Sequence, residues 1–267
     1  MIKKFFSRGY IFLVLAFIYI PIFILVLYSF NSGTTIGAWE SFSFQWYKNL
    51  GEIGDVVWKT VLLAVVSAAI ATVLGSLGAI GIYYSKGKFG KLLNGASQVP
   101  VVNSEVVTAC ALVMLFLIMS VDHRSVVGLY IGHIVITTPF VMLSVMPKLK
   151  QMDSSLYEAA LDLGATPAQA LFKVILPEIL PGIFTGFMLA ITLSLDDYIV
   201  TATLAPYDYN TISTAVYKAM AHATNASSEE LALYRALTTI IFIITIAVVV
   251  IINVRANRRV KKHGGAK

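Results

Sequence analysis

Three acidic residues lie in stretches of this chain that are otherwise almost entirely apolar: Glu105, Asp196 and Asp197. An acidic side chain at the centre of a membrane-spanning helix costs roughly 2.5 to 3.5 kcal/mol on insertion scales. No Lys or Arg lies at a comparable depth in the same stretches. Each acid alone could be a hydrogen-bonded packing residue, but three without a counter-charge favour an aqueous route that carries cations. Asn103 and Tyr198, which neighbour these acids, are added as candidate residues of that route.

The local sequence also predicts how the helices orient the acids toward the route. The polar run 103–105 follows Pro100 closely, which predicts a helix that is bent or interrupted at the route. Asp196 and Asp197 are predicted to stand about 100° apart on one helix. Only one of the two is then expected to face the route, while the other caps or hydrogen-bonds a neighbouring helix.

The elements that must position these residues are membrane helices. With 267 residues, of which 58% are hydrophobic and 13% charged, the chain has more apolar surface than a water-soluble core of this size could hide. Six apolar runs are long enough to cross about 30 Å of hydrocarbon. They cover residues 10–30, 57–83, 98–121, 125–146, 182–203 and 233–254. The first is too long for the apolar core of a signal peptide and is expected to remain as an uncleaved helix.

The basic residues predict the orientation of these helices. Of the 20 Lys and Arg residues, 15 lie on the side of the two termini and of the segment 148–180, and 5 lie on the other side. Both termini and this segment are therefore expected to be cytoplasmic. The predicted organisation is a membrane helix with an outer loop in 1–56, a core of five membrane helices in 57–254 and a basic cytoplasmic tail in 255–267. The net charge of +6 then reflects topology rather than affinity for nucleic acid.

Other reactive side chains are given structural interpretations. The four His residues lack the spacing of metal ligands, and His133 is interpreted as a hydrogen-bonded residue of helix packing. Cys110 is interpreted as a packed apolar thiol. In the outer loop after the fifth span, Tyr207, Asp208 and Tyr209 group two rings with a carboxylate, a combination that suits amines.

Small residues recur every three or four positions on three of the spans, which lets helix backbones approach closely. Packing within the subunit is the favoured interpretation, with subunit pairing as the alternative. The residues are Ala64, Ala68, Ala71, Gly75, Gly78, Gly128, Gly132, Gly182 and Gly186.

A polar segment between the fourth and fifth spans contains two predicted short helices. Ser155 and Glu158 have the spacing of a capping box that begins the first helix, and Gly164 is expected to end it. Thr166 as N-cap and Pro167 in the first helical position predict the start of the second helix. Apolar residues follow helical spacing in both, at Leu156, Ala159, Ala160 and Leu163, and at Ala168, Leu171, Phe172, Ile175 and Leu176.

The run from Glu158 to Pro177 resembles the EAA loop of type I ABC importer permeases. The pattern of that loop is Glu-Ala-Ala, three residues, Gly, nine residues and Ile-x-Leu-Pro. It is matched at Glu158, Ala159, Ala160, Gly164, Leu176 and Pro177, with Val174 in place of the Ile. The resemblance implies an all-α permease fold of six transmembrane helices in a bacterial cytoplasmic membrane. It also implies four partners: a second similar permease, two copies of a cytosolic ATPase and an external substrate-binding protein.

In such a permease the loop docks on the ATPase. The resemblance thus implies coupling roles for Glu158, Ala159, Ala160, Gly164, Leu171, Phe172 and Pro177. For Glu158, helix stability and contact with the ATPase both remain open. The chain contains no phosphate-binding Gly-x-x-x-x-Gly-Lys-Ser/Thr loop, so ATP and Mg²⁺ are expected on the partner ATPase, and no cofactor is expected on this chain.

The run 194–197, Ser-Leu-Asp-Asp, and the run 103–105, Asn-Ser-Glu, further resemble the PotC-type permeases of spermidine/putrescine importers. The likeness of layout extends over nearly the whole chain and implies half of a polyamine pathway. Another cation or a small solute is an alternative cargo. An ion-coupled secondary transporter would also bury acids but would need neither a partner ATPase nor the EAA loop. Hydrolase and metalloprotease motifs are absent, so the chain is not expected to be an enzyme.

Overall fold

The computed structural model describes residues 2–35, 37–85, 87–153, 155–221, 229–244 and 246, the side chains of residues 2–8 and 89 excepted. Regular structure within these residues is helical, apart from one antiparallel bridge between Asn31 and Phe42, which confirms the predicted all-α class. The helices are α1 (Ile2–Tyr28), α2 (Gln45–Lys48), α3 (Gly54–Tyr84), α4 (Gly87–Val102), α5 (Glu105–Ile118), α6 (Val126–Gln151), α7 (Ser155–Asp162), α8 (Pro167–Ala170), α9 (Leu176–Asp196), α10 (Ile199–Leu204), α11 (Ile212–Ala221) and a helix over 229–244. A 3₁₀ turn, Asn49–Ile53, precedes α3, and a π-helical turn, Leu171–Ile175, joins α8 to α9.

Among the described residues, four helical stretches are long and apolar enough to cross a membrane: Gly9–Tyr28, Gln45–Tyr84, Val126–Gln151 and Pro167–Asp196. The pair α4 and α5 makes a fifth if it is counted as one span. The predicted sixth span, 233–254, lies partly outside the described residues, as does the whole basic tail 255–267. The chain is thus a multi-pass membrane protein.

The interruption predicted after Pro100 is confirmed. α4 and α5 meet at an angle of 109° with only two residues between them. Pro100 lies inside α4, where its ring removes one helical hydrogen bond. Ser104 caps α5 by accepting a hydrogen bond from the backbone N–H of Val107 at 3.4 Å. The bend places the start of α5 at a break between two helices rather than inside one continuous helix.

The span predicted at 182–203 differs from the structure at both ends. Helical structure starts at Pro167, continues through the π-helical turn into α9 and stops at Asp196. Asp197 has φ −63° and ψ 125°, which is extended backbone, and α10 begins two residues later. The prediction of one helix that carries both acids is therefore wrong. Apolar residues continue across this position, so hydropathy alone does not reveal that the backbone leaves the helix.

Packing divides the chain into two units, one of residues 1–54 with 216–267 and one of residues 55–215. In the second unit the core lies mainly between α6 and α9. Fully buried Val141, Val145 and Leu149 of α6 belong to the same apolar cluster as Ile175 and Ile179. Burial of each such side chain contributes about 1.5 to 3 kcal/mol.

The small-residue positions pack within the subunit, as predicted. A Cβ atom at Gly75 of α3 would lie 2.8 Å from Cβ of Val141, and one at Gly186 of α9 would lie 3.1 Å from Cγ1 of the same valine. At Gly132 a Cβ atom would lie 2.7 Å from Val200 of α10. These contacts leave no room for a side chain, so the glycines set the distances between the helices.

The first unit contains a structured outer loop after α1. The side chain of Asn31 donates to the carbonyl of Ala38 at 2.7 Å and accepts from the N–H of Glu40 at 2.9 Å. Trp46 is buried and donates its indole N–H to the carbonyl of Asn31 at 2.9 Å. A cluster of stacked and edge-on rings lies beside this turn, formed by Phe30, Phe42, Phe44 and Tyr47.

The interpretation of Cys110 as a packed thiol is wrong, because Cys110 is exposed on α5. The buried side of α5 is formed by Ala109, Leu112 and Phe116, which follow helical spacing toward α10. Cys110 is one residue, and thus about 100°, away from Ala109 on the helix.

Candidate functional site

The helix break, residues 196–199 between α9 and α10, separates the two neighbouring acids. Asp197 is buried, and its carboxylate caps α10. One oxygen accepts from the N–H of Val200 at 3.2 Å, and the other accepts from the N–H and the hydroxyl of Thr201, both at 2.8 Å. The backbone carbonyl of Asp197 accepts from the hydroxyl of Ser213 at 2.9 Å. The carboxylate oxygens are thus committed to the fold.

Asp196, in contrast, is exposed at the last position of α9. In the part of the chain that the structure describes, its carboxylate has neither a hydrogen-bond partner nor an ion-pair partner. The expectation that one acid of the pair caps a helix while the other stays available is therefore met by this geometry. Tyr198 is half-buried within the break.

Glu105 comes from another element but lies in the same neighbourhood. It occupies the first position of α5, is exposed, and is close enough to Asp197 and Asp196 to interact electrostatically with both. The packing of α5 on α10 holds these elements together, through Leu112 against Val200 and their neighbours. The structure therefore brings the three predicted acids into one region. Among the described residues, Glu105 also lacks an ion-pair partner.

Two clefts lie along α4. Exposed Asn103 lines an open cleft of about 430 Å³ together with Gln98. Gln98 also lines a second cleft of about 200 Å³, which continues along α6 to Lys150. Asn103 is a residue predicted from the sequence, whereas Gln98 is not, although an amide within an apolar stretch is a signal that could have indicated it.

His133 joins the helix break to α6 and is fully buried. Its Nδ1 lies 2.7 Å from the hydroxyl oxygen of Ser194, and its Nε2 lies 3.0 Å from that of Thr201. The same Nε2 lies 3.5 Å from Oδ2 of Asp197. We call these four residues the polar chain: Ser194, His133, Thr201 and Asp197. The predicted role of His133 as a hydrogen-bonded packing residue is confirmed, but its partners could not be identified from spacing.

The rings of Tyr207 and Tyr209, which were predicted to suit amines, already contact cations of the chain itself. The guanidinium carbon of Arg124 lies 4.4 Å from the ring centre of Tyr207, and the ammonium of Lys59 lies 5.7 Å from that of Tyr209. Burial, together with the neighbouring Tyr130, raises the pKa of Tyr209 to about 12. The interpretation of this cluster as a site for external amines is not favoured, because both rings already contact internal cations.

The EAA segment, residues 153–177, forms two short helices as predicted, but the first one is capped differently. Asp153 accepts from the N–H of Ser155 at 2.9 Å and from its hydroxyl at 2.8 Å. These hydrogen bonds hold the pKa of the Asp153 carboxyl below its ordinary value. The capping box predicted at Ser155 and Glu158 is therefore wrong, since the hydroxyl of Ser155 is turned back toward Asp153. Glu158 is exposed.

The turn and the second helix of the segment match the prediction. Gly164 has φ +85°, the left-handed conformation in which glycine carries no steric penalty, and α7 ends two residues before it. Thr166 accepts from the N–H of Gln169 at 3.3 Å, and Gln169 accepts from the N–H of Thr166 at 3.0 Å. This reciprocal pair is a complete capping box, with Pro167 in the first helical position.

The apolar residues of the EAA segment divide into an inner and an outer set. Ala160, Ala170 and Ile175 are buried toward the core. Leu171, expected together with Phe172 to dock on a partner, packs against this core instead. Phe172 is 65% exposed and Leu163 is 89% exposed, which makes these two the prominent apolar groups of the surface. Ala159 and Pro177 are also exposed.

The sequence of this chain is similar to those of known membrane components of transport systems. The family model for "Binding-protein-dependent transport system inner membrane component" matches residues 71–262. The spermidine/putrescine transport system permease protein PotC of Shigella flexneri is 30% identical over 268 residues, which cover 99% of each chain. The PotC protein of Haemophilus influenzae is 30% identical and covers 94% of this chain and 96% of its own. The putrescine transport system permease protein PotI of Escherichia coli is 30% identical over 81% of this chain and 80% of its own.

A solved structure shares the fold. It is a bacterial ABC transporter involved in the import of the acidic polysaccharide alginate, and one of its chains matches with a TM-score of 0.64. The match covers 94% of this chain and 96% of that chain at 16% sequence identity. At this identity the likeness concerns the fold alone.

Proposed function

Because the chain belongs to the family of binding-protein-dependent transport system inner membrane components, we propose that it is the permease subunit of an ATP-driven importer and forms half of a translocation pathway for a polyamine. Spermidine and putrescine are the proposed cargoes, since the named relatives carry these compounds in their names. The observation that carries the proposal is the pair of exposed carboxylates, Glu105 and Asp196, which lie in one region and have no ion-pair partner among the described residues.

A polyamine suits this pair because its ammonium groups are separated by a flexible alkyl chain. In the proposed pathway one ammonium group contacts Glu105 on α5 and another contacts Asp196 at the end of α9. A hydrogen bond to a charged group contributes about 1.5 to 3 kcal/mol net, so two of them offset much of the desolvation of the ammonium groups. Asp197 adds negative potential but holds the fold, since its oxygens accept from α10.

The proposed complex places this chain in a bacterial cytoplasmic membrane with both termini in the cytoplasm. A second homologous permease completes the pathway, two copies of a cytosolic ATPase bind ATP and Mg²⁺, and an extracytoplasmic binding protein delivers the cargo. No cofactor is proposed for this chain itself. The charge distribution of 15 against 5 basic residues supports this orientation.

The EAA segment is the proposed contact with the ATPase. Phe172 and Leu163 offer exposed apolar groups that a groove on the ATPase could bury. Glu158, Ala159 and Pro177 lie exposed in the same segment and are assigned to the same surface. The inner set of side chains transmits movement, because buried Ile175 and half-buried Leu171 belong to the apolar packing around α6 and α9.

The test uses the complete complex reconstituted in vesicles with its binding protein. ATP-dependent uptake of labelled spermidine and putrescine is measured with and without an excess of an uncharged diol of similar length. We expect the two polyamines to compete with each other and the diol to have no effect. Asp196→Asn and Glu105→Gln should each lower uptake about tenfold without loss of assembly. Uptake that survives ATP depletion with the ion gradient intact would overturn the importer proposal, and normal uptake in both variants would overturn the cationic pathway.

A further inference from the structure

The polar chain includes His133, which is not needed to cap α10. Asp197 already caps α10 through the backbone N–H groups of Val200 and Thr201. His133 adds a connection from another helix, α6, and it is fully buried in the second unit. A buried imidazole is costly unless both of its nitrogens are hydrogen-bonded, and here both have hydroxyl partners.

The hydrogen-bond partners fix a single direction along the polar chain. The hydroxyl of Thr201 donates its one hydrogen to Oδ2 of Asp197 at 2.8 Å, so its oxygen must accept from His133. Nε2 of His133 therefore carries the hydrogen, which leaves Nδ1 of the neutral ring as an acceptor for the hydroxyl of Ser194. The direction is thus from Ser194 through His133 and Thr201 to the carboxylate, with each hydroxyl hydrogen and the ring hydrogen donated once.

The surroundings hold this arrangement in place. A Cβ atom at Gly132, the residue before His133, would lie 2.6 Å from Cδ1 of Leu204, so α6 approaches α10 very closely here. On the other side of the break, the hydroxyl of Ser213 donates to the carbonyl of Asp197. The backbone at Asp197 is thus held from α6, from α10 and from the start of α11. Asp196 directly precedes this anchored residue, and its own carboxylate is exposed.

We propose that His133 is a positioning residue for transport. Through Thr201 and Asp197 it fixes the helix break, and the fixed break keeps the carboxylate of Asp196 turned toward the cargo route. The inference rests on the proposed function, because it concerns the same cation pathway. His133 itself does not contact the cargo, since its side chain is fully buried.

The experiment uses the whole complex in vesicles and measures cargo uptake per ATP hydrolysed under stimulation by the loaded binding protein. Thr201→Val keeps the shape of the side chain but removes the link between His133 and Asp197, and His133→Leu removes the ring hydrogen bonds. We expect each variant to lower uptake per ATP about tenfold, the equivalent of one lost charge-assisted hydrogen bond. Thr201→Ser, which retains the hydroxyl, should restore the ratio. Thr203→Val is the matched control, because the hydroxyl of Thr203 donates to the Ile199 carbonyl of its own helix and to no other group among the described residues.

A double variant separates positioning from folding. If the polar chain acts through Asp196, adding Thr201→Val to Asp196→Asn should lower the ratio no further than Asp196→Asn alone. Additive losses in the double variant would overturn the inference. So would an unchanged uptake per ATP in Thr201→Val, or a reduced uptake per ATP in Thr201→Ser. If His133→Leu does not assemble, Thr201→Val still decides the question. A wild-type complex that imports no polyamine would overturn the proposed function instead, and the ratios are then measured with the cargo that the complex does carry.

Discussion

The helix break and the EAA segment are both irregular, but they distribute polar and apolar groups in opposite ways. At the break, polar groups are buried and paired: Asp197 is buried with its carboxylate oxygens hydrogen-bonded, and His133 has a partner at each nitrogen. In the EAA segment the polar caps are exposed, and the apolar side chains of Leu163 and Phe172 remain exposed as well.

The polar groups of the helix break already have their partners within the single chain, whereas the EAA segment leaves large apolar side chains uncovered. A buried polar network with all its hydrogen bonds made is rigid, and it can hold a neighbouring charge in position. Exposed large apolar groups on a well-capped helix gain stability only when another surface covers them. The break thus has the features of a positioning device, whereas the EAA segment has those of a contact surface.

The largest expected effect concerns the two neighbouring acids. Asp197→Ala leaves the N–H groups of Val200 and Thr201 and the hydroxyl of Thr201 without their acceptor, which should cost about 3 kcal/mol or more. We expect a strong loss of assembled complex and a lower midpoint of thermal unfolding. Asp196→Ala is the control and should assemble normally, because its carboxylate is exposed. Equal stability of the two variants would contradict the division of roles between them.

A smaller effect is expected at the outer apolar groups of the EAA segment. Phe172→Ala should weaken binding of the ATPase to the purified permease pair by roughly tenfold to a hundredfold, since burial of a Phe side chain contributes about 1.5 to 3 kcal/mol. Lys173→Ala, at the exposed neighbouring position, should change the affinity little. Leu171→Ala should instead lower the stability of the permease, because Leu171 packs on the core. Unchanged affinity in Phe172→Ala would show that the docking surface lies elsewhere.

The smallest effect concerns the pH dependence of α7. Its cap is the carboxylate of Asp153, whose pKa is lowered from 3.8 by the N–H and hydroxyl of Ser155. A lowered pKa means that the cap contributes stability above the ordinary pKa and loses it as the pH falls through the lowered value. Hydrogen exchange of residues 155–162, corrected for intrinsic rates, should therefore show protection at neutral pH that declines only in strong acid. Asp153→Asn keeps an acceptor without the charge, so the protection of residues 155–162 in this variant should not change with acid. A parallel decline of protection in both proteins would exclude the Asp153 cap.

Much of the architecture could be predicted from local sequence chemistry. Pro100 followed by a polar run predicted the bend between α4 and α5, because proline and polar side chains both interrupt an apolar helix. Thr166 with Pro167 predicted the start of α8, and Gly164 predicted the end of α7. These features depend on residues within one helical turn of each other, so the sequence contains all the information they need.

The remaining features depend on contacts between distant residues. The end of α9 at Asp196 depends on such a contact in part. The N–H groups that Asp197 caps are only three and four residues away, but the hydroxyl that donates to its carbonyl comes from Ser213, 16 residues away. The resemblance to the EAA loop likewise implied that Leu171 docks on the ATPase, but Leu171 packs against the core. The partners of His133 are 61 and 68 residues away in sequence, so no local pattern contains them.

Val141 has a further consequence for the evolution of this chain. It fills the space beside Gly75 of α3 and beside Gly186 of α9, two helices that meet it from different sides. A side chain added at Gly75 would meet not only Val141 but also the backbone carbonyl of Thr138 at 2.9 Å, and a smaller residue at 141 leaves that carbonyl in place. Related proteins that keep the present distance between α3 and α6 are therefore expected to keep glycine at position 75.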